Sequence, residues 1–161
     1  HALANVSIKN NLIVQPIIQV NSHEVPFEDD SLPTARTLDL LRKLNCITNE
    51  SIIITTHSQA VKVYSNLDFL LGMRMHSNII AVTQGTPIYA VSYEHKTEGI
   101  MKLLGLDKFC IKCEDVTTAK LTKAVEFAFT ERDKIRKIIN NSVTTIQKYE
   151  IKKWRDMLAG L

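Results

Sequence analysis

Two basic side chains and a helix-starting serine fall together in Gly72-Met73-Arg74-Met75-His76-Ser77. Arg74 is a permanent cation whose planar fork fits a carboxylate or a phosphate. His76 can hold or donate a proton near neutral pH. Ser77 suits a helix cap, and a helix start offers unpaired N–H groups and the positive end of the dipole. Gly72 permits either a close backbone approach or an unusual dihedral. Together these residues have the composition of an anion site. They also have a purely structural use, in which Arg74 pairs with Asp68 or another carboxylate and His76 caps a helix. A second cluster, Tyr93-Glu94-His95-Lys96, brings another cation and two acid–base candidates, Glu94 and His95. Thr55, Thr56 and His57 offer further polar groups.

These clusters matter only if the chain brings them to one place, and its alternation predicts that it does. The apolar run from Leu12 to Val20 reads as a strand flawed by Pro16. Residues 21–31 read as a polar, acidic loop. Leu38, Leu40, Leu41 and Leu44 recur at helical spacing after Pro33. Further strands are expected at Ser51–Thr56, Asp68–Gly72, Ile88–Ser92 and Phe109–Lys112. Helices are expected at Ser58–Ser65, Ser77–Gln84 and Thr97–Leu104, the last stopped by Gly105. From Thr117 to Leu158 the chain reads as helix in two pieces, broken near Asn140-Asn141-Ser142. Short strands each followed by a helix mean βα units and a mainly parallel sheet. The expected fold is therefore α/β, a three-layer Rossmann-like sandwich with a helical C-terminal tail. Residues 1–130 form the ligand-binding domain on this reading and 131–161 the tail. Such folds bind ligands at the carboxyl ends of their strands, where both clusters fall.

Other chemistries lack their residues. There is no G-x-G-x-x-G after the first strand, no G-x-x-x-x-G-K-[ST] and no G-x-S-x-G elbow. Cys110 and Cys113 form a single C-x-x-C in a segment that reads as strand, and no second pair follows to complete a zinc site. No metal site is expected, and the cysteines read as reduced thiols in a cytoplasmic protein. The formal net charge is +3, concentrated from Glu131 onward, where eight Lys/Arg face four Asp/Glu. That basic tail reads as a solvated helix face, although it also suits peripheral membrane association. No nucleic-acid module is present, so no nucleic-acid partner is expected. The composition, 45% hydrophobic and 23% charged, is that of a globular chain with a real core.

The stretch Asp68-Phe69-Leu70-Leu71-Gly72-Met73-Arg74-Met75-His76-Ser77, then Gly85-Thr86-Pro87, the Ile88–Ser92 strand, Tyr93-Glu94-His95-Lys96 and Leu104-Gly105-Leu106 resembles the polysaccharide pyruvyl transferase family. Residues before Asn49 resemble it poorly. The resemblance implies the C-terminal half of a two-domain fold like that of the GT-B glycosyltransferases, with an N-terminal partner domain outside this chain. It also implies transfer of pyruvate from phosphoenolpyruvate to sugar hydroxyls as a cyclic ketal; the expected location is the cytoplasm, with the inner face of the membrane as an alternative. Phosphoenolpyruvate would be the donor substrate, a glycan the acceptor, and no cofactor is implied. By the same resemblance Arg74 and His76 contact the donor, with the Met75 backbone between them; the chemistry of the transfer makes His76 the expected catalytic residue, as general acid or phosphate binder. Arg74, Met75, Ser77 and Lys96 would hold the donor, with Gly72, Tyr93 and Glu94 on the rim. Competing readings are a nucleotide-sugar glycosyltransferase and a non-catalytic binding domain of the same fold. A tail that exposes Trp154 and Met157 would suit a homodimer or the partner domain.

Overall fold

A computed structural model describes residues 1–22, 24 and 29–159. The protein is a mixed α/β domain with small parallel sheets and a helical C-terminal tail. It opens with helix α1 (Ala2–Lys9), in a segment where the sequence pattern announces no element. Strands β1 (Ile13–Val14) and β2 (Ile17–Ile18) follow, separated at Pro16. Helix α2 (Ser31–Lys43) then leads to β3 (Ile47–Thr48) and β4 (Ile52–Ile53).

The expected first strand is thus two short ones. β1 pairs with β3 and β2 with β4, both in parallel. Ile13 faces Ile47, while Ile17 faces Ile52, so the second strand carries one extra residue between the two pairings. Pro16 has no N–H to give the ladder, and its carbonyl accepts from Ile52 N–H at 3.0 Å. An interruption with one unmatched residue is the signature of a bulge.

The remaining elements carry the site. Helix α3 (His57–Ser65), strand β5 (Leu70–Gly72), helix α4 (Met75–Thr83), strand β6 (Ile88–Ser92), helix α5 (His95–Leu103) and strand β7 (Cys110–Lys112) alternate as predicted. β5, β6 and β7 form one parallel sheet with β6 in the middle. Every residue of β6 is buried, which is why its sequence is continuously apolar up to Ser92. Leu70 pairs with Ile88 and Gly72 with Ala90, so the ends of β5 and β6 lie side by side. Gly105 stops α5's segment at φ +69°, a conformation that favours glycine. Cys113 lies beyond β7 in a short 3-10 turn and is exposed, so only Cys110 of the C-x-x-C pair stands on the strand.

Two helices complete the chain, α6 (Thr118–Thr130) and α7 (Arg132–Ala159). The break falls at Glu131, not near Asn140–Ser142. Asn140 and Asn141 are exposed and cost the helix little, while Ile135 and Ile139 are fully buried against the core and hold α7 continuous. Ser142 also donates to the carbonyl of Leu104 at 2.9 Å. The far end of α7 leaves the body: Tyr149, Ile151, Trp154, Met157 and Leu158 are all exposed. Among the described residues no helix is long and apolar enough to cross a membrane.

Candidate functional site at the strand ends

The site is built on two neighbouring strand-to-helix turns. The first runs from Gly72 to Ser77. Gly72 ends β5 with an ordinary backbone, so its value is space, not dihedral freedom. A Cβ there would meet Asn78 Oδ1 at 1.9 Å. The Asn78 amide fills that space; it is 2% exposed and has no hydrogen-bond partner among the described residues. The helix then begins at Met75, two residues before the expected start. Arg74, in extended conformation, is the cap residue, and Ser77 sits in the first turn. Ser77 is buried and donates to the Arg74 carbonyl at 2.6 Å, pinning the turn from below instead of capping the helix.

Arg74 is the centre of the rim. Its Nη2 donates to Asp30 Oδ1 at 2.8 Å and its Nε to the same oxygen at 3.1 Å. Its Nη1 donates to the Tyr93 hydroxyl at 3.3 Å. The hydrogen bonds to Asp30, foremost among the causes, raise the guanidinium pKa above its already high ordinary value. Asp30 and Arg74 are 23% and 29% exposed, so the pair is shielded yet reachable from solvent. The carboxylate partner that the sequence left open is therefore Asp30, not Asp68.

A polar floor lies beneath. Tyr64, on α3, is buried and donates its hydroxyl to Gln19 Oε1 at 2.6 Å. Burial pushes the Tyr64 pKa up to about 12; the hydrogen bond with Ser77 works against this and the charge of Asp30 adds to it. Asp30, Tyr64, Gln19 and Ser77 thus tie the exits of β2 and β5 together. The pattern of residue types does not announce Asp30, Tyr64 or Asn78. Asp30 stands in the acidic loop before α2, and its position just ahead of a helix is the one local signal it gives.

The second turn is different in kind. Tyr93, Glu94, His95 and Lys96 are all exposed. Glu94 precedes α5 and offers its backbone carbonyl to Ser92 Oγ at 2.8 Å, leaving its carboxylate outside. His76 is likewise exposed on α4's first turn, and Met75 beside it is half-buried. Direct contact joins Arg74 to Tyr93 and Asp30, while His76 and Lys96 stand on helices that start from the same sheet edge. Thr56 is spent as the cap of α3, accepting from Gln59 N–H at 3.1 Å, and His57 is exposed beside it. Farther along the edge, a cleft of about 310 Å³ runs from Ser92 and Tyr93 to Glu98, Lys112 and Glu114.

Arg74, His76 and the start of α4 thus stand together at one edge of a parallel sheet, the edge where folds of this class bind their ligands. The chain's sequence gives the family: the polysaccharide pyruvyl transferase profile matches residues 15–95, and the chain belongs to that family. The match begins at Gln15, so β2 and α2 lie inside the family span even though the residues before Asn49 resemble the family poorly by eye. It ends at His95, leaving Lys96 just outside. The amylovoran biosynthesis protein AmsJ of Erwinia amylovora is 32% identical over 73 residues, which is 45% of this chain and 18% of that protein. The chain thus matches less than a fifth of that relative's length. No solved structure matches.

Proposed function

We propose that this chain is the donor-binding domain of a pyruvyl transferase, which moves pyruvate from phosphoenolpyruvate to sugar hydroxyls of a cell-surface polysaccharide. The observation that carries this reading is Arg74, fixed at the end of β5 beside the start of α4, inside the span that matches the family. The donor carries a carboxylate and a phosphate, and a guanidinium serves either one bidentately. Donor-holding roles fall to Arg74, the Met75 backbone, Ser77 and Lys96, with Gly72, Tyr93 and Glu94 forming the rim. In this role Ser77 acts from beneath, through its grip on the Arg74 carbonyl.

The chemistry balances as follows. The donor's methylene carbon takes up a proton and becomes methyl. A sugar hydroxyl oxygen bonds to the adjacent carbon, the bond from that carbon to the phosphate oxygen breaks, and phosphate leaves. A second hydroxyl closes the ketal. Of the two hydroxyl protons, one replaces the proton given to the methyl group and the other leaves with phosphate. His76, exposed at the rim, is the general acid for this sequence or binds the leaving phosphate. Lys96 offsets the charge that develops on departure. In this reading the domain is one half of a GT-B-like enzyme, a three-layer Rossmann-like unit whose partner domain brings the glycan. It works in the cytoplasm at the inner face of the membrane.

The test is pyruvyl transfer in the full-length enzyme with His76→Ala. Activity should fall by about 10²-fold or more, the usual contribution of a positioned acid. Near-normal transfer would overturn the role of His76. Protection of the protein from heat by nucleotide-sugars but not by phosphoenolpyruvate would overturn the donor assignment itself.

A further inference from the structure

We infer that Asp30 is the positioning residue for Arg74, holding the guanidinium in the orientation that receives the donor's oxyanion; this rests on the donor-binding reading of the rim. An arginine side chain has many rotamers, and fixing it beforehand spares the loss of that freedom on binding. Asp30 is equipped to be the fixed partner. Its Oδ2 accepts from Val20 N–H at 3.0 Å, and its own N–H donates to the Val20 carbonyl at 2.9 Å. Its carbonyl accepts from Thr34 N–H at 3.0 Å as α2 begins. The carboxylate is thereby anchored to the exit of β2 at both its backbone and its side chain. Its other oxygen, Oδ1, holds both Nε and Nη2 of Arg74, 44 residues away in sequence. From below, Ser77 grips the Arg74 carbonyl. Arg74 is therefore clamped at main chain and side chain by two different elements.

The opposite role for Asp30 is that of a stopper, a carboxylate that occupies Arg74 until an anion displaces it. The geometry argues against it. Swinging Asp30 away would leave the Val20 N–H unpaired, and an unmade hydrogen bond at a shielded site is costly. The two roles predict opposite signs. Removing a stopper tightens anion binding, whereas removing a positioning residue weakens it.

The experiment is calorimetric titration of phosphoenolpyruvate, and separately of inorganic phosphate, into the wild type, Asp30→Asn, Arg74→Ala and the double variant. Asp30→Asn should weaken phosphoenolpyruvate binding about tenfold, and Arg74→Ala by at least as much. The double variant should bind no worse than Arg74→Ala, because Asp30 acts through Arg74. Unchanged or tighter binding by Asp30→Asn overturns the inference. So does an equal loss in the Arg74→Ala background, which marks a general structural role. If phosphate shows the coupling but phosphoenolpyruvate binds no better than phosphate, the positioning role stands and the donor assignment falls. If neither anion binds the wild type, both fall. Should Asp30→Asn fail to fold, the Arg74 Nε proton of the wild type decides by NMR: slow solvent exchange supports the clamp and fast exchange overturns it.

Discussion

The two strand-to-helix turns at the edge of the β5–β6–β7 sheet are neighbours with opposite construction. In the turn from Gly72 to Ser77, most groups are held. Asn78 fills the space above Gly72, Ser77 grips the backbone and Asp30 holds the guanidinium of Arg74. The turn from Tyr93 to Lys96 is exposed throughout, and its charged groups extend into solvent. The contrast teaches that a rim can divide its labour. On the proposed reading, one turn fixes a cation in place before the ligand arrives, and the other supplies charges that adjust to it. Changes in the first turn should therefore damage stability and binding together, and changes in the second should damage binding alone.

The largest stability effect expected is that of Gly72→Ala. The new methyl group would overlap the buried Asn78 amide, which has little room to move, and overpacking of this kind costs about 1–3 kcal/mol. Thermal unfolding of Gly72→Ala should show it, and Asn78→Ala in the same chain should recover most of the loss. A Gly72→Ala protein as stable as the wild type would dissolve the contrast between the turns.

The floor under the first turn gives a pH signature. Tyr64 holds its proton more tightly in the folded state, with its pKa pushed up to about 12 from an ordinary 10.0. Its contribution is fully present below pH 10, and it is lost as the pH rises through the folded value. Denaturant melts across that alkaline range should fall more steeply for the wild type than for Tyr64→Phe. Equal slopes would place the hydroxyl outside the buried network.

The smallest effect on stability is expected for Lys96→Ala. The side chain is exposed at the first turn of α5, so the melting temperature should not change. Phosphoenolpyruvate binding should nevertheless weaken severalfold, and the deficit should shrink as salt is added, because exposed charges are screened. A loss of stability without a loss of binding would reverse the roles of the two turns.

How much of this was legible in the sequence follows from what each feature depends on. Both ends of β6 are legible, because a strand buried on both faces must be apolar throughout. The place of Arg74 and His76 at the exit of β5 is legible because an apolar strand and a helix pattern flank them. Asp30 is not, since its meaning lies in a partner 44 residues away, and no local period encodes that. Tyr64 and Asn78 read as ordinary helix residues until packing sets them under the turn. The early start of α4 was missed for a related reason: Ser77 looked like a cap, yet its hydroxyl serves the Arg74 carbonyl from inside the helix. The break in the tail was misplaced because local preference at Asn140 and Asn141 yields to the burial of Ile135 and Ile139.

The central claim is that these two turns together receive phosphoenolpyruvate. Backbone amide NMR during titration with phosphoenolpyruvate tests it most directly. The account predicts saturable shifts concentrated at Gly72–Ser77 and Tyr93–Lys96, with Trp154 in the distal part of α7 unaffected. Saturable binding whose shifts lie elsewhere, with both turns silent, would contradict it.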